Sequence, residues 1–124
     1  EARGDLEEAL RIRREEELPV YERLGDVRER AITMGQIADI LGARGDLEEA
    51  LRIRREEELP VYERLGDVRE RAITMAKMGL LLHEVGDSVE ALDLMRRGLQ
   101  DAEKLGIPEA ELIRRDLERI QADS

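Results

Sequence analysis

Two runs of three glutamates, at residues 15–17 and 56–58, are the side chains with the clearest capacity for proton chemistry. Two carboxylates act as a general acid and a general base when their surroundings separate their pKa values, so that one stays protonated and the other charged. A run of adjacent, solvated glutamates provides no such difference. We therefore interpret both runs as charged helix faces, and we expect no catalytic residue and no enzymatic activity.

A metal or cofactor site is not expected either. His83 is the only histidine and the chain has no cysteine, whereas a metal ion needs several ligands that converge on one point. The sequence has no glycine-rich phosphate loop and no His-Glu-x-x-His motif. We expect no metal ion and no cofactor, and we interpret His83 as a surface or groove residue.

The tripeptide Arg-Gly-Asp, known for recognition by cell-surface adhesion receptors, occurs at residues 3–5 and 44–46. A structural role explains it better, because glycine suits the left-handed position after one helix and aspartate caps the next. A third copy of this turn has Val85 in place of the arginine and keeps Gly86 and Asp87. The motif therefore predicts helix boundaries rather than a receptor-binding site.

Charge and composition restrict the class of partner. The 124 residues include 21 Lys and Arg against 31 Asp and Glu, for a net charge of -10. Such a chain repels the phosphates of nucleic acid and of anionic lipid, so neither is an expected partner. The apolar residues are aliphatic and evenly spread, which is typical of a single folded domain, here residues 1–124. No apolar run approaches the ~20 residues of a membrane span and no secretory leader is recognisable, which favours a cytoplasmic location.

The sequence repeats itself. Residues 2–34 recur unchanged as residues 43–75, at an offset of 43 − 2 = 41, and a third, diverged copy that is one residue shorter follows. Repeats of this length are typical of helical arrays. Identity between the first two copies indicates either a recent duplication or an engineered array, and the sequence leaves both open. The repeat units run over about 2–42, 43–83 and 84–124.

Glycine and aspartate pairs divide each copy at regular intervals and predict an all-α fold without strands. Pro19 and Pro60 lie inside their predicted helices, where each removes one backbone hydrogen bond, so we expect kinks there. Tyr21 and Tyr62 occupy equivalent positions, which favours a repeated core contact over a ligand site. The predicted helices span residues 5–24, 26–43, 46–65, 67–85, 87–105 and 108–122.

The spacing of small and large apolar residues resembles the tetratricopeptide repeat family, in a long variant of about forty residues rather than the standard 34. The resemblance implies a right-handed solenoid of three stacked helical hairpins, with the helix at 108–122 as a polar-backed cap. The residues that carry it are Met34, Ile37, Ala38, Leu41 and Ala50, then Met75, Met78, Gly79, Leu82, Ala91, Met95 and Gly98.

One part of the pattern departs from that family. Arg54 and Glu57, like Arg13 and Glu16 before them, stand where the family usually has an aromatic and then a small residue. Two interpretations stay open. The charges form a ladder of Arg and Glu between adjacent repeats, or they are a solvated helix face whose ion pairs contribute only ~0–1 kcal/mol.

The resemblance also implies a function, which is that of a noncatalytic scaffold binding a peptide or a partner helix in a concave groove. Some family members clamp a terminal carboxylate with Lys, Arg and Asn, of which only Lys77 is present, so a modestly apolar partner fits better. The alternative is a structural array, designed or excised, that self-associates and has no dedicated ligand. The implied groove residues are Ile32, Gly35, Gln36, Asp39, Ile73, Ala76, Lys77, Leu80 and His83.

Self-association is expected through the first helix. Residues 1–5 correspond to the tail of a helix whose body is absent, so the helix at 5–24 lacks the preceding partner that its twin at 46–65 has. Exposed apolar stripes favour association, and a twofold homodimer is the simplest solution, with a monomer as the alternative. The residues expected at this interface are Leu6, Leu10, Leu18, Tyr21 and Leu24.

Overall fold

Helices make up nearly all of the chain in the computed structural model, which describes residues 2–123, and no strand occurs in that range. The six predicted helices are confirmed. They are α1 (Ala2–Ile12, a π-helical turn at Arg13–Glu17, and Leu18–Leu24), α2 (Val27–Ala43), α3 (Leu47–Ile53, a π-helical turn at Arg54–Glu58, and Leu59–Leu65), α4 (Val68–Glu84), α5 (Ser88–Leu105) and α6 (Glu109–Asp123).

Local chemistry fixes the corners between the helices. Each corner contains a glycine with φ between 67° and 96°, a conformation that a residue with a Cβ adopts poorly. At three corners the following aspartate accepts a hydrogen bond from the backbone N–H three residues later, which caps the next helix. The predicted turns are confirmed at Gly25, Gly45, Gly66, Gly86 and Gly106.

The first predicted boundary is wrong. Gly4 and Asp5 lie inside α1, which begins at Ala2 rather than at residue 5. Within a helix Gly4 does not act as a stop, and Asp5 lies in the first turn, where the helix dipole favours a carboxylate. The second Arg-Gly-Asp tripeptide does form a corner, in which Arg44 Nη2 lies 2.9 Å from Asp46 Oδ2.

Each proline for which we expected a kink follows a π-helical turn. In α3 the N–H of Leu59 donates to the carbonyl of Arg54, five residues back instead of four, and α1 has the same turn before Pro19. Pro60 has no N–H for the carbonyl four residues back, which favours this local rearrangement. As a result α3 has 7 + 5 + 7 = 19 residues, whereas the proline-free α5 has 18. The third copy is one residue shorter because its helix α5 lacks the residue that the π turn adds to α3.

The chain forms two compact units, residues 1–61 and 62–124. In the first unit, α2 contacts both α1 and α3. Its apolar stripe follows the three-and-four spacing of an amphipathic helix. The buried apolar residues of this unit are Leu10, Ala31, Met34, Ile37, Ala38, Leu41, Ala50, Ile53 and Val61.

In the second unit, α5 packs against α4 and α6. The final helix buries one side, through Ala110, Ile113, Leu117 and Ile120. One apolar cluster joins α4, α5 and α6, and a second joins α5 and α6. They consist of Ala76, Ala102, Ala110 and Ile113, and of Met95, Leu117 and Ile120.

Helices α4 and α5 approach each other closely at Gly98. A Cβ at this position would lie 2.9 Å from the backbone oxygen of Ala72. The obstacle is helix backbone rather than a flexible side chain, so the two helices would have to separate to admit even one methyl group.

We expect the substitution Gly98→Ala to lower the free energy of unfolding by about 1–3 kcal/mol, because overpacking forces a backbone shift. Alanine's better helix propensity offsets only part of this, up to about 1 kcal/mol. The matched control is Arg97→Ala at the exposed neighbouring position, which should change stability by less than about 0.5 kcal/mol. Urea denaturation followed by circular dichroism measures both. Equal stabilities of the two variants would contradict the close approach.

Candidate functional site

An apolar pocket of about 140 Å³ lies between α4 and α6 in the second unit. Its residues occur on both helices at spacings of three, one and three, which place them on a single face of each helix. Four of the nine implied groove residues lie here together. The lining consists of Ile73, Ala76, Lys77 and Leu80 from α4, and of Glu109, Leu112, Ile113 and Asp116 from α6.

The pocket has a buried floor and an exposed apolar rim. Ala76 and Ile113 form the floor and belong to the core cluster of this unit. Leu112 stands at the rim and is 59% exposed. The other outward residues of α6 are mostly charged, so Leu112 is an apolar residue on an otherwise polar face of the helix. Leu112 and the half-buried Ile73 and Leu80 together form an apolar surface at the rim.

The polar side of the pocket carries both signs of charge, with Lys77 on α4 and Glu109 and Asp116 on α6. Glu109 forms an ion pair with Arg69 through Oε2. Among the residues that the structure describes, its other oxygen, Oε1, is buried without a hydrogen-bond donor. Asp116 lies 3.6 Å from Arg119 across one helical turn. Glu109 Oε1 has almost no accessible surface, so it is a buried acceptor beside the apolar floor rather than one open to the pocket.

His83, the fifth implied groove residue of α4, lies near the other end of α6. Its Nε2 is 3.5 Å from Asp123 Oδ2, and the side chain is about one quarter exposed. The histidine is part of the surface of this unit, and it does not line the pocket.

The implied groove residues of α2 are placed differently. Gly35 is buried beneath the carboxylate of Glu58, and Asp39 binds Arg54. Both therefore contact α3 of the same unit. The other two, Ile32 and Gln36, are half-buried.

The contact of α2 with α3 contains a buried ion pair. Arg54 Nη1 donates to Glu58 Oε1 at 2.9 Å, and only 4% and 8% of the two side chains are exposed. Arg54 Nη1 also lies 3.5 Å from the carbonyl oxygen of Gly35, and Nη2 binds Asp39. Because Gly35 has no Cβ, the Glu58 carboxylate lies directly on the α2 backbone. We refer to these four residues as the Arg54 cluster.

This cluster corrects two interpretations of the sequence. The run at 56–58 is not wholly a solvated face, because Glu58 is buried while Glu56 is exposed. In the structure the buried residue is Glu58 rather than Glu57, which the sequence placed at the small-residue position of the family. Two equivalent contacts show this. Glu58 contacts Gly35, and Gly98 of the third copy contacts Ala76, which is the counterpart of Gly35 because 76 − 41 = 35. The π turn adds one residue before this position, and so moves Glu58 into the core.

The shifted pKa values belong to ion pairs on exposed helix faces. Hydrogen bonding to Arg11 lowers the pKa of Glu8, and hydrogen bonding to Arg52 lowers the pKa of Glu49. Hydrogen bonding to Glu103 raises the pKa of Arg114. These pairs stabilise the charged forms of surface residues and contribute little to the folded state.

The residues expected at a self-association surface differ in exposure. Leu10 is buried within the first unit, and Leu24 is largely exposed. Leu6, Leu18 and Tyr21 are half-buried.

Within residues 4–123, no group of three or more His, Cys, Asp or Glu side chains is arranged to hold a metal ion. No helix in the described part of the chain has the length and the apolar character needed to cross a bilayer.

Comparison with known proteins finds no matching family model, no matching curated protein and no matching solved structure. The resemblance to the tetratricopeptide repeat family therefore depends on the residues of this sequence alone.

Substitutions at two adjacent residues distinguish the exposed rim of the pocket from its buried floor. We expect Leu112→Ala to change the free energy of unfolding by less than about 0.5 kcal/mol, since the side chain is mostly exposed. Ile113→Ala should lower it by about 2–5 kcal/mol, since it leaves a cavity in the core. Chemical denaturation of the two variants checks this difference. A large effect at Leu112 would mean that the pocket is closed.

Proposed function

We propose that this chain is a noncatalytic protein-interaction scaffold of the tetratricopeptide type, a right-handed stack of helical hairpins. Its binding site is the pocket between α4 and α6. The ligand is a peptide or a partner helix that inserts one aliphatic side chain between Ile73, Leu80 and Leu112.

The observation that carries this proposal is the exposed leucine above an apolar floor. Burial of an exposed leucine and of the side chain that meets it releases about 25 cal/mol per Å² of apolar surface. The floor residues Ala76 and Ile113 are already packed, so the pocket is preformed and binding requires little rearrangement.

The charge of the chain favours a basic partner. The net charge is -10, and Glu109 and Asp116 lie on the α6 side of the pocket, opposite Lys77 on α4. A basic residue flanking the inserted side chain would be attracted by this charge, which would speed the encounter. Nucleic acid and anionic membrane are disfavoured by the same charge.

A structural array without a dedicated ligand is the second candidate. The identity of residues 2–34 and 43–75 favours it, because selection for a particular ligand has introduced no difference between the two copies. Of the pocket residues, however, only Ile73 lies in the repeated segment. Ala76, Lys77 and Leu80 follow it in the second repeat unit, and the other four belong to the last helix, where the sequence has diverged.

Selection from a random peptide library displayed on phage, with the full chain as bait, tests the pocket. The selected peptides are then measured by fluorescence anisotropy against the parent chain, Leu112→Glu and the control Val89→Glu. Val89 is exposed and apolar and lies on α5, outside the pocket lining.

We expect Leu112→Glu to weaken binding by about tenfold or more, because it places a carboxylate against the apolar floor and beside Glu109. Val89→Glu should leave binding within about twofold, because the same charge change is made away from the pocket. If the two variants weaken binding equally, or if the selected peptides are insensitive to both, the pocket is not the binding site.

A further inference from the structure

Two helices of identical sequence differ in what covers them. Residues 2–24 of α1 repeat as residues 43–65, yet the stripe that α3 buries is partly open on α1. Arg54 and Glu58 are 4% and 8% exposed, whereas their counterparts Arg13 and Glu17 are each 32% exposed. Ala50 is fully buried, and its counterpart Ala9 is half-buried. We call Ala9, Arg13 and Glu17 the α1 stripe.

The structure shows what covers this stripe on α3. Helix α2 lies on it and presents Gly35 to the Glu58 carboxylate and Asp39 to the Arg54 guanidinium. These two residues are four apart on α2, and so are Arg54 and Glu58 on α3. The small residue meets the carboxylate and the acidic residue meets the arginine, so the two helices match in antiparallel order.

We propose that the α1 stripe is a docking surface for a partner helix of the same chemistry as α2, with glycine and aspartate in the order Gly-x-x-x-Asp. The glycine lies over Glu17 and the aspartate binds Arg13. This surface is separate from the pocket between α4 and α6, and the proposal does not depend on the function assigned to that pocket.

Both residues of the partner motif follow from contacts in the Arg54 cluster. A Cβ at residue 35 would overlap Glu58 Oε2, so any residue larger than glycine displaces the carboxylate. An aspartate is needed because the glutamate binds only one nitrogen of the arginine. The second nitrogen, Nη2 in Arg54, needs its own acceptor, and Asp39 provides it.

The α1 stripe is prepared for such a partner. Arg13 Nη1 already binds both oxygens of Glu17, at 2.9 and 2.7 Å. In α3, where α2 covers the corresponding pair, Arg54 Nη1 lies at a similar 2.9 Å from Glu58 Oε1. Docking would therefore require little change in the side chains of α1, which reduces the entropy lost on binding.

The test uses the full chain and a fluorescein-labelled synthetic peptide with the sequence of residues 26–46, measured by fluorescence anisotropy. We expect saturable binding of the parent peptide. Gly35→Val in the peptide should weaken binding by about tenfold or more, through overlap with Glu17. Valine is a better helix former than glycine, so this loss would not reflect reduced helicity. Asp39→Asn in the peptide should also weaken binding, because it removes the charge that faces Arg13.

A matched pair of chain variants locates the peptide. Glu17→Lys should weaken binding by about tenfold, because it breaks the pair with Arg13 and fills the space above the glycine. Glu15→Lys, at an exposed position of the same helix, should leave it within about twofold. Circular dichroism of each variant shows that the chain is folded.

Three outcomes would overturn the proposal. The first is no binding of the parent peptide, and the second is equal binding of the parent and the Gly35→Val peptides. The third is a dimer in which the stripe binds a second copy of the chain. In that case light scattering would show a dimer that the substitution Glu17→Lys dissociates, whereas addition of the parent peptide leaves the dimer intact.

Discussion

The packing of α2 on α3 depends on an ion pair that has been taken out of water. Arg54 and Glu58 are buried, and desolvation of two charges costs several kcal/mol for each ion unless both are paired and hydrogen-bonded. The cluster meets this condition through the bond between the two side chains, through Asp39 and through the nearby Gly35 carbonyl. Among the described residues, Arg54 Nε is left without a hydrogen-bond partner, so the compensation is incomplete. A glycine at residue 35 fits this cluster, because a Cβ there would displace the Glu58 carboxylate from its position.

The backbone makes this pair possible. Pro60 lacks an N–H, and the π turn that precedes it inserts one residue into α3. That residue moves Glu58, rather than Glu57, onto the buried side. The third copy reaches a packed helix pair by other means, since α5 has neither the proline nor the extra residue. There Met95 packs on Gly79, and Gly98 lies against the α4 backbone. One repeat thus offers two solutions for the same contact, one charged and one apolar.

The sequence predicts the features that depend on neighbouring residues. The six helices and their corners follow from glycines with positive φ and from aspartate caps, which act within a few residues. The burial of Glu58 was not predicted, because a π turn shifts the helix by one residue and nothing in the glutamate run marks which residue turns inward. Gly4 and Asp5 resemble the other boundaries but lie inside a helix.

Only the α4 side of the pocket coincides with residues named from the sequence. Ile73, Ala76, Lys77 and Leu80 were implied by the resemblance to tetratricopeptide repeats, whereas the residues from α6 depend on how the last helix packs, which is tertiary information. The one local signal is Leu112, an apolar residue on an otherwise charged helix face. The resemblance to tetratricopeptide repeats implied a groove position for Gly35, whereas the structure places this residue beneath the carboxylate of Glu58.

A double-mutant cycle on the buried pair tests the central claim most directly. The free energy of unfolding is measured by denaturant titration for the parent chain, Arg54→Met, Glu58→Met and the double variant. Arg54→Met leaves the buried Glu58 carboxylate without its arginine and should lower the free energy of unfolding by about 3–5 kcal/mol. Glu58→Met leaves Arg54 paired with Asp39 and should lower it by less, and the double variant should be less destabilised than the sum of the two. Two small and additive effects, each below about 1 kcal/mol, would be the result for a surface pair and would contradict this account.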